Sequence, residues 1–227
     1  MNVRTMREDA VLQSGGVSDE VVYQLFVEII EKINARGRLL DFGAGKGKLL
    51  ELLFEMKRFT TLTGIDLYNR PKAIPESIDW HTQDLNNITS YPSQSFDIVV
   101  SAEVIEHLEN PRAAAREWYR ILAPNGLLIF STPNNESIRS ILSLIMKGHY
   151  VFFLDSSYPA HITPVLQKDA ERILLEAGFT ELETHYSNQG GIPKLPKISW
   201  QQISFNILGG KRFSDNMLVV ARKNNNV

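Results

Sequence analysis

Between residues 38 and 131 short apolar runs alternate with amphipathic stretches, and few folds accommodate that alternation. Periodicity predicts strands over 38–42, 61–66, 96–102 and 126–131, with a weaker one over 78–82. Helices are predicted over 48–57 and 111–122. Upstream, Val21, Val22, Leu25, Phe26, Ile29, Ile30 and Ile33 recur at helical spacing, with Ser18 and Asp19 as caps and a stop near Gly37. Downstream, a helix over 168–177 stopped by Gly178 and strands over 180–186 and 217–222 close the series. Strands separated by helices imply a largely parallel sheet covered on both faces, because a parallel connection needs a crossover. The expectation is one α/β domain over 1–227, with its binding site at the carboxyl ends of the strands.

Composition removes several alternatives. The 227 residues contain no cysteine, which excludes disulfide scaffolds and cysteine zinc sites. With 24 basic and 26 acidic side chains the net charge is −2, so the footprint for nucleic-acid binding is missing. The polar amino terminus has no apolar stretch of secretory length. The most apolar stretch, 138–154, is broken by Arg139, Ser140, Ser143, Lys147, Gly148 and His149, so no transmembrane segment is expected and the location predicted is cytoplasmic.

The segment Leu39-Leu40-Asp41-Phe42-Gly43-Ala44-Gly45-Lys46-Gly47 is a strand ending in an acid and entering a loop with glycine at alternate positions. Glycine permits positive φ and close approach of a ligand, and the next helix presents unpaired N–H groups. A G-x-x-x-x-G-K-[ST] phosphate loop would need glycine at Phe42 and a hydroxyl at Leu49. The dinucleotide pattern G-x-G-x-x-G would need glycine at Lys48.

Asp41 to Gly47 resembles the first motif of class I S-adenosylmethionine-dependent methyltransferases. The resemblance implies S-adenosyl-L-methionine as cofactor, with Asp41, Gly43, Ala44 and Gly45 around its methionine part. A carboxylate suits the ammonium and sulfonium there. Asp66, 19 residues after Gly47 and followed by Leu67, resembles the acid that accepts from both ribose hydroxyls. Asp84 resembles the adenine contact, with Gln83 and Leu85 as neighbours. Taken singly, either acid also suits a helix cap or a turn. The run from Phe96 to Leu108 resembles the fourth motif, with Ala102 and Glu103 at its mouth, and Pro124 and Gly126 form the turn before the fifth strand. The family resemblance, dense over about 37–132, implies a Rossmann-like three-layer sandwich. Its seven strands follow the order 3-2-1-4-5-7-6, the last antiparallel.

Methyl transfer is a direct displacement at the sulfonium carbon, so holding the acceptor in line is the main task. An oxygen acceptor must also lose a proton, to a base or with a metal's help. Glu103, Glu106 and His107 share one face if their segment is helical. The Glu-x-x-Glu-His arrangement is similar to quinone-biosynthesis O-methyltransferases and small-RNA 3′-terminal methyltransferases, where two acids, this His and a later His hold a divalent cation. His161 is the later candidate. The alternative has no metal: Glu103 lines the cofactor pocket, Glu106 is solvated and His107 orders its loop. His107 and His161 are the catalytic candidates, either suiting a general base.

Three segments are expected to build the acceptor pocket: an N-terminal helical region (1–37), a lid insertion (132–166) and a substrate-side insertion (187–215). The apolar density of 138–154 predicts a helix with an ordinary buried face, or else a cap over an apolar acceptor or a lipid contact. In the last segment Lys194, Lys197, Lys211 and Arg212 lie among Trp200, Phe205 and Phe213, as in a solvated loop or an anion-binding surface. The acceptor implied is a small molecule methylated at oxygen. RNA, a catalytically silent cofactor-binding module and a nicotinamide oxidoreductase are the competing readings.

Overall fold

The computed structural model describes residues 7, 9–10 and 13–224; the first six residues of the predicted N-terminal region lie outside them. Five strands succeed one another as β1 (Gly37–Phe42), β2 (Phe59–Asp66), β3 (Asp79–Thr82), β4 (Phe96–Ala102) and β5 (Leu122–Pro133). β6 (Phe179–Tyr186) and β9 (Asn216–Lys223) complete a seven-stranded sheet of order β3-β2-β1-β4-β5-β9-β6. β1 to β5 pair in parallel, and β9 runs antiparallel between β5 and β6. This is the predicted order, its seventh strand being β9. A separate hairpin of β7 (Gly191–Ile192) and β8 (Leu195–Ser199) lies between β6 and β9 in the chain.

Two apolar layers cover the sheet. α1 (Glu20–Lys32) and α2 (Lys48–Glu55) bury Phe26, Ile30, Leu50 and Leu53 with Leu39, Ile98, Val100 and Ile129. α3 (Pro111–Ile121) and α5 (Gln167–Ala177) pack Ala115, Trp118 and Leu174 with Leu40, Phe42, Val99 and Phe130. Strand residues therefore alternate between the layers, and each fully buried large side chain contributes roughly 1.5–3 kcal/mol. Local signals set the helix ends. The Asn110 side chain caps α3 by accepting from Ala113 N at 3.1 Å, Pro111 opens that helix, and Gly178 ends α5 at φ 103°.

Three predicted features differ. Residues 124–126, expected as a turn, lie within β5, where the pairing with β4 shifts between Phe96 and Ile98 and Asn125 takes φ 61°. The segment after β4 is not α-helical: Glu103 has φ 53°, and Ile105–His107 form one 3-10 turn. The third difference is α4 (Ile138–Lys147), which turns its serines inward. Ser140 and Ser143 are buried, while Leu142, Leu144, Ile145 and Met146 are exposed, so the expected buried apolar face is absent. A short α6 (Trp200–Ile203) follows the hairpin, held by a Ser199–Gln202 capping box. Among the described residues no helix is long and apolar enough to cross a membrane.

Candidate active site

The loop after β1 is shaped by close approach. Gly43, Gly45 and Gly47 have φ of 86°, 53° and 80°. A Cβ on Gly43 would lie 2.2 Å from Val104 Cγ2, and one on Gly45 would lie 2.4 Å from the Gly16 carbonyl oxygen. The amides of Gly43 and Ala44 donate to the Ile65 carbonyl at 2.9 and 3.1 Å, tying the loop to β2. Asp66, at the end of β2, accepts from Gly45 N at 2.8 Å through Oδ2 and from Tyr68 N at 2.9 Å through Oδ1. Its carboxylate thus holds two backbone turns together while facing the cavity.

That cavity, about 320 Å³, lies at the carboxyl ends of β1, β2 and β4. Asp41, Gly43, Ala44, Gly45, Asp66 and Leu67 line one part of it. Asp84, Leu85, Ala102, Glu103, His107 and His161 line another. Gln83 is the exception among the predicted residues. It is not part of this lining, because its amide donates to the Ile88 carbonyl at 2.8 Å and accepts from Ser90 N at 3.2 Å, closing its own loop.

Several carboxylates line the cavity, and burial pushes most of those described below toward the protonated form. Asp41 is buried with neither carboxylate oxygen partnered, and burial together with nearby Asp66 pushes its pKa well up. Burial raises Asp66 as well. Glu103 is pushed up to about 7 by burial, against a hydrogen bond from Asn216 Nδ2 at 2.7 Å to its Oε1. Asp84 is different. Burial would raise it, but bonds from Asn86 and Arg7 outweigh that and leave it lowered. Arg7 Nη1 lies 2.5 Å from Asp84 Oδ2, and its Nη2 lies 2.9 Å from Glu109 Oε2, so the N-terminal segment reaches across to the end of β3.

Glu106, His107 and His161 converge at the other end. The 3-10 turn points Glu106 inward, so the expectation of a solvated side chain is overturned. Its Oε2 accepts from Thr132 Oγ1 at 3.1 Å, and its buried Oε1 has no partner. His107 Nδ1 lies 2.8 Å from the Ala160 carbonyl and His161 Nδ1 lies 2.6 Å from the Phe152 carbonyl. A carbonyl only accepts, so both rings carry a proton on Nδ1; His107 also interacts with the Glu103 carbonyl, whereas the His161 ring has only the Phe152 carbonyl as a backbone partner among the described residues. The rings stand 4.8 Å apart between centroids at 67°. Burial and the neighbouring His161 lower His107 to about 4, and burial lowers His161. One ligand atom from each of Glu106, His107 and His161 can lie within 4.8 Å of the others. Glu103 is not in that cluster, since its left-handed backbone sends its carboxylate to Asn216.

Some residues at the site had no motif to mark them. Asn216, which opens β9 and pairs with Pro133, lines the cavity only through the β5–β9 pairing, and Thr132, behind the lining, bonds Glu106. Arg7, Tyr23 and Phe152 also line the cavity from segments that carry no motif.

The chain is similar in sequence and fold to known methyltransferases. A family model described as a methyltransferase domain matches residues 18–184. A ubiquinone biosynthesis O-methyltransferase of Pseudomonas fluorescens (strain Pf0-1) is 28% identical over 135 residues, covering 56% of this chain and 57% of that protein. The protein of the same name from Psychrobacter arcticus is 29% identical over 167 residues, covering 66% and 63%. The chain thus spans little more than half the length of such relatives. A solved SAM-dependent methyltransferase from Archaeoglobus fulgidus superposes with TM-score 0.63 at 20% identity, covering 93% of this chain and 97% of the other. The N-methyltransferase NodS from Bradyrhizobium japonicum, solved with S-adenosyl-l-homocysteine, gives 0.55 at 21%, covering 88% and 85%.

Proposed function

This chain belongs to the class I S-adenosylmethionine-dependent methyltransferase family, and from that membership we propose that it methylates a hydroxyl oxygen of a small molecule. The pair of neutral imidazoles beside the unpartnered Glu106 oxygen carries this reading. In the assignment we favour, Asp66 accepts from the ribose hydroxyls and Asp84 from the adenine amine. Asp41, Gly43, Gly45 and Glu103 surround the methionine part. The acceptor oxygen forms its bond to the methyl carbon as the carbon–sulfur bond breaks, leaving S-adenosylhomocysteine, and its proton passes to an imidazole Nε2. At about 4, His107 is a weak base near neutral pH, which favours His161 as the proton acceptor.

The same three side chains fit a divalent cation: a buried carboxylate with one orphaned oxygen stands beside two imidazoles whose rings are oriented by their Nδ1 bonds. Glu106, His107 and His161 would hold it, and it would lower the pKa of the acceptor hydroxyl. Methyl-labelled cofactor supplied with phenolic, sugar-hydroxyl and RNA acceptors, with and without a chelator, tests both points. Label in the phenolic or sugar arm, lost on His161→Ala while cofactor affinity stays, is the expected result. Label only in RNA, or in no acceptor, would reject the proposed acceptor. A chelator effect that disappears in His107→Ala, with metal binding followed by calorimetry, would place the cation.

Cofactor binding should also take up the ionised form of Glu103. A raised carboxyl is protonated in the free enzyme below about pH 7 and must release that proton to face a cation. Affinity is therefore expected to rise from pH 6 to pH 7, by up to about tenfold per unit, and to level off above. Calorimetry in two buffers of different ionisation enthalpy reads the proton release. Identical heats, with an affinity that ignores pH, would remove Glu103 from the cofactor site.

A further inference from the structure

Two segments set this chain apart electrostatically: 137–154 and 187–214 contain six Lys or Arg and not one Asp or Glu. The rest of the chain, by difference from the overall −2, carries −8. The structure makes these segments neighbours. Ile138 N donates to the Arg212 carbonyl at 2.9 Å, Arg139 Nη1 lies 2.6 Å from Asp215 Oδ2, and a Cβ on Gly191 would lie 3.0 Å from Arg139 Nη1. Arg139 and Lys211 are neutralised by Asp215 and Glu136. Lys147, Lys194 and Lys197 are exposed and form no ion pair among the described residues.

Large apolar side chains lie exposed on these segments. Ile138, Ile141, Leu142 and Ile145 follow the i, i+3, i+4, i+7 spacing that normally faces a core, yet Ile138 and Ile141 are only half-buried and Leu142 and Ile145 are exposed. In α4 the serines occupy the inner face instead, and Ile145 is 74% exposed. On the other segment Phe205 and Ile207, in the turn after α6, are 88% and 83% exposed, with Leu195 and Ile198 exposed on β8. Residues at such exposure project from the surface and do not line a groove. Exposed apolar side chains of this kind, on two segments that meet where Ile138 bonds the Arg212 carbonyl, mark an interaction face.

We infer that this apolar and cationic rim docks the enzyme on an anionic lipid bilayer. Aliphatic and aromatic side chains enter the interface while lysine stems lie along it with their ammonium groups at the headgroups. The charge argues against a second copy of the chain: the carboxylates at this face, Asp215 and Glu136, are already paired with Arg139 and Lys211, so Lys147, Lys194 and Lys197 would meet like cations. Phe152 and His161 on one side, and Gly191 and Pro196 on the other, border the site cavity and the groove beside it, so the docked face adjoins the acceptor opening. The inference does not depend on which atom is methylated.

Co-sedimentation of the full chain with vesicles tests it, using phosphatidylcholine alone and equimolar phosphatidylcholine and phosphatidylglycerol. The chain is expected to pellet with the anionic vesicles at low salt and to be released by high salt. Ile145→Asp, Phe205→Asp and the pair Lys194→Glu with Lys197→Glu should each weaken binding by about tenfold or more. Leu175→Asp, at an exposed position on α5, should bind like the parent, and unchanged cofactor affinity in every variant shows that the fold is intact. Absence of pelleting would overturn the inference, as would variants that bind like the parent. So would a concentration-dependent dimer in light scattering that Ile145→Asp abolishes, which would assign the face to self-association.

Discussion

Asp66→Ala is expected to weaken S-adenosylmethionine binding by about two orders of magnitude, the sum of two charge-assisted hydrogen bonds to the ribose at about 1.5–3 kcal/mol each, less relaxation. The carboxylate is almost fully buried and already accepts from Gly45 N and Tyr68 N, so it cannot swing away and its removal leaves both amides unpartnered. A carboxylate accepts about four hydrogen bonds, which leaves capacity for both ribose hydroxyls. Asp66→Asn is the milder test. It keeps one acceptor oxygen, enough for Gly45 N or Tyr68 N but not for both, so affinity should fall less than in the alanine variant while one of the two turns loosens. Calorimetric titration with the cofactor decides it, and an Asp66→Ala protein that binds within about threefold of the parent would contradict the ribose assignment.

The second large effect is on stability. Gly43→Ala should lower the unfolding free energy by about 2–5 kcal/mol, combining backbone strain at positive φ with overpacking. Its φ is 86°, and the new methyl would sit 2.2 Å from Val104 Cγ2, a buried side chain with little room to move. For a chain of this length the melting temperature should drop by about 5–15 °C. Gly148→Ala supplies the internal comparison. Its φ of 81° is nearly the same, but nothing lies within 4 Å of the new Cβ, so only the strain remains. Thermal unfolding of both variants should separate them clearly. Equal melting temperatures would mean that the loop does not need the close approach to Val104.

The glycine loop, the strands that carry Asp41 and Asp66 and the one that ends just before Asp84 were legible because each depends on local chemistry: apolar periodicity, an acid at or just past a strand end, glycine where φ is positive. The seven-strand order came through the family resemblance and agrees with the pairings. Less legible was the segment after β4. Offsets of three and four suggested that Glu103, Glu106 and His107 would share a helical face, yet Glu103 bonds Asn216, 113 residues away, while Glu106 turns toward Thr132. Helical spacing assumes a helix, and the left-handed residue at the end of β4 removes that assumption. α4 failed for a related reason. Its apolar stripe has the period of a core helix, but periodicity shows only that one face is apolar, not which way that face turns.

By itself, then, the amino-acid order determined the alternation of elements, the glycine loop after the first strand and the acids placed at or just beyond strand ends, because those follow from interactions within a few residues. Only the tertiary structure decided that Glu106 is buried with His107 and His161, that Gln83 closes its own loop, and that α4 shows its apolar side to solvent. Each of those outcomes depends on which distant strand or segment lies alongside, and pairings such as β5 with β9 join residues too far apart in the chain for any local pattern to register.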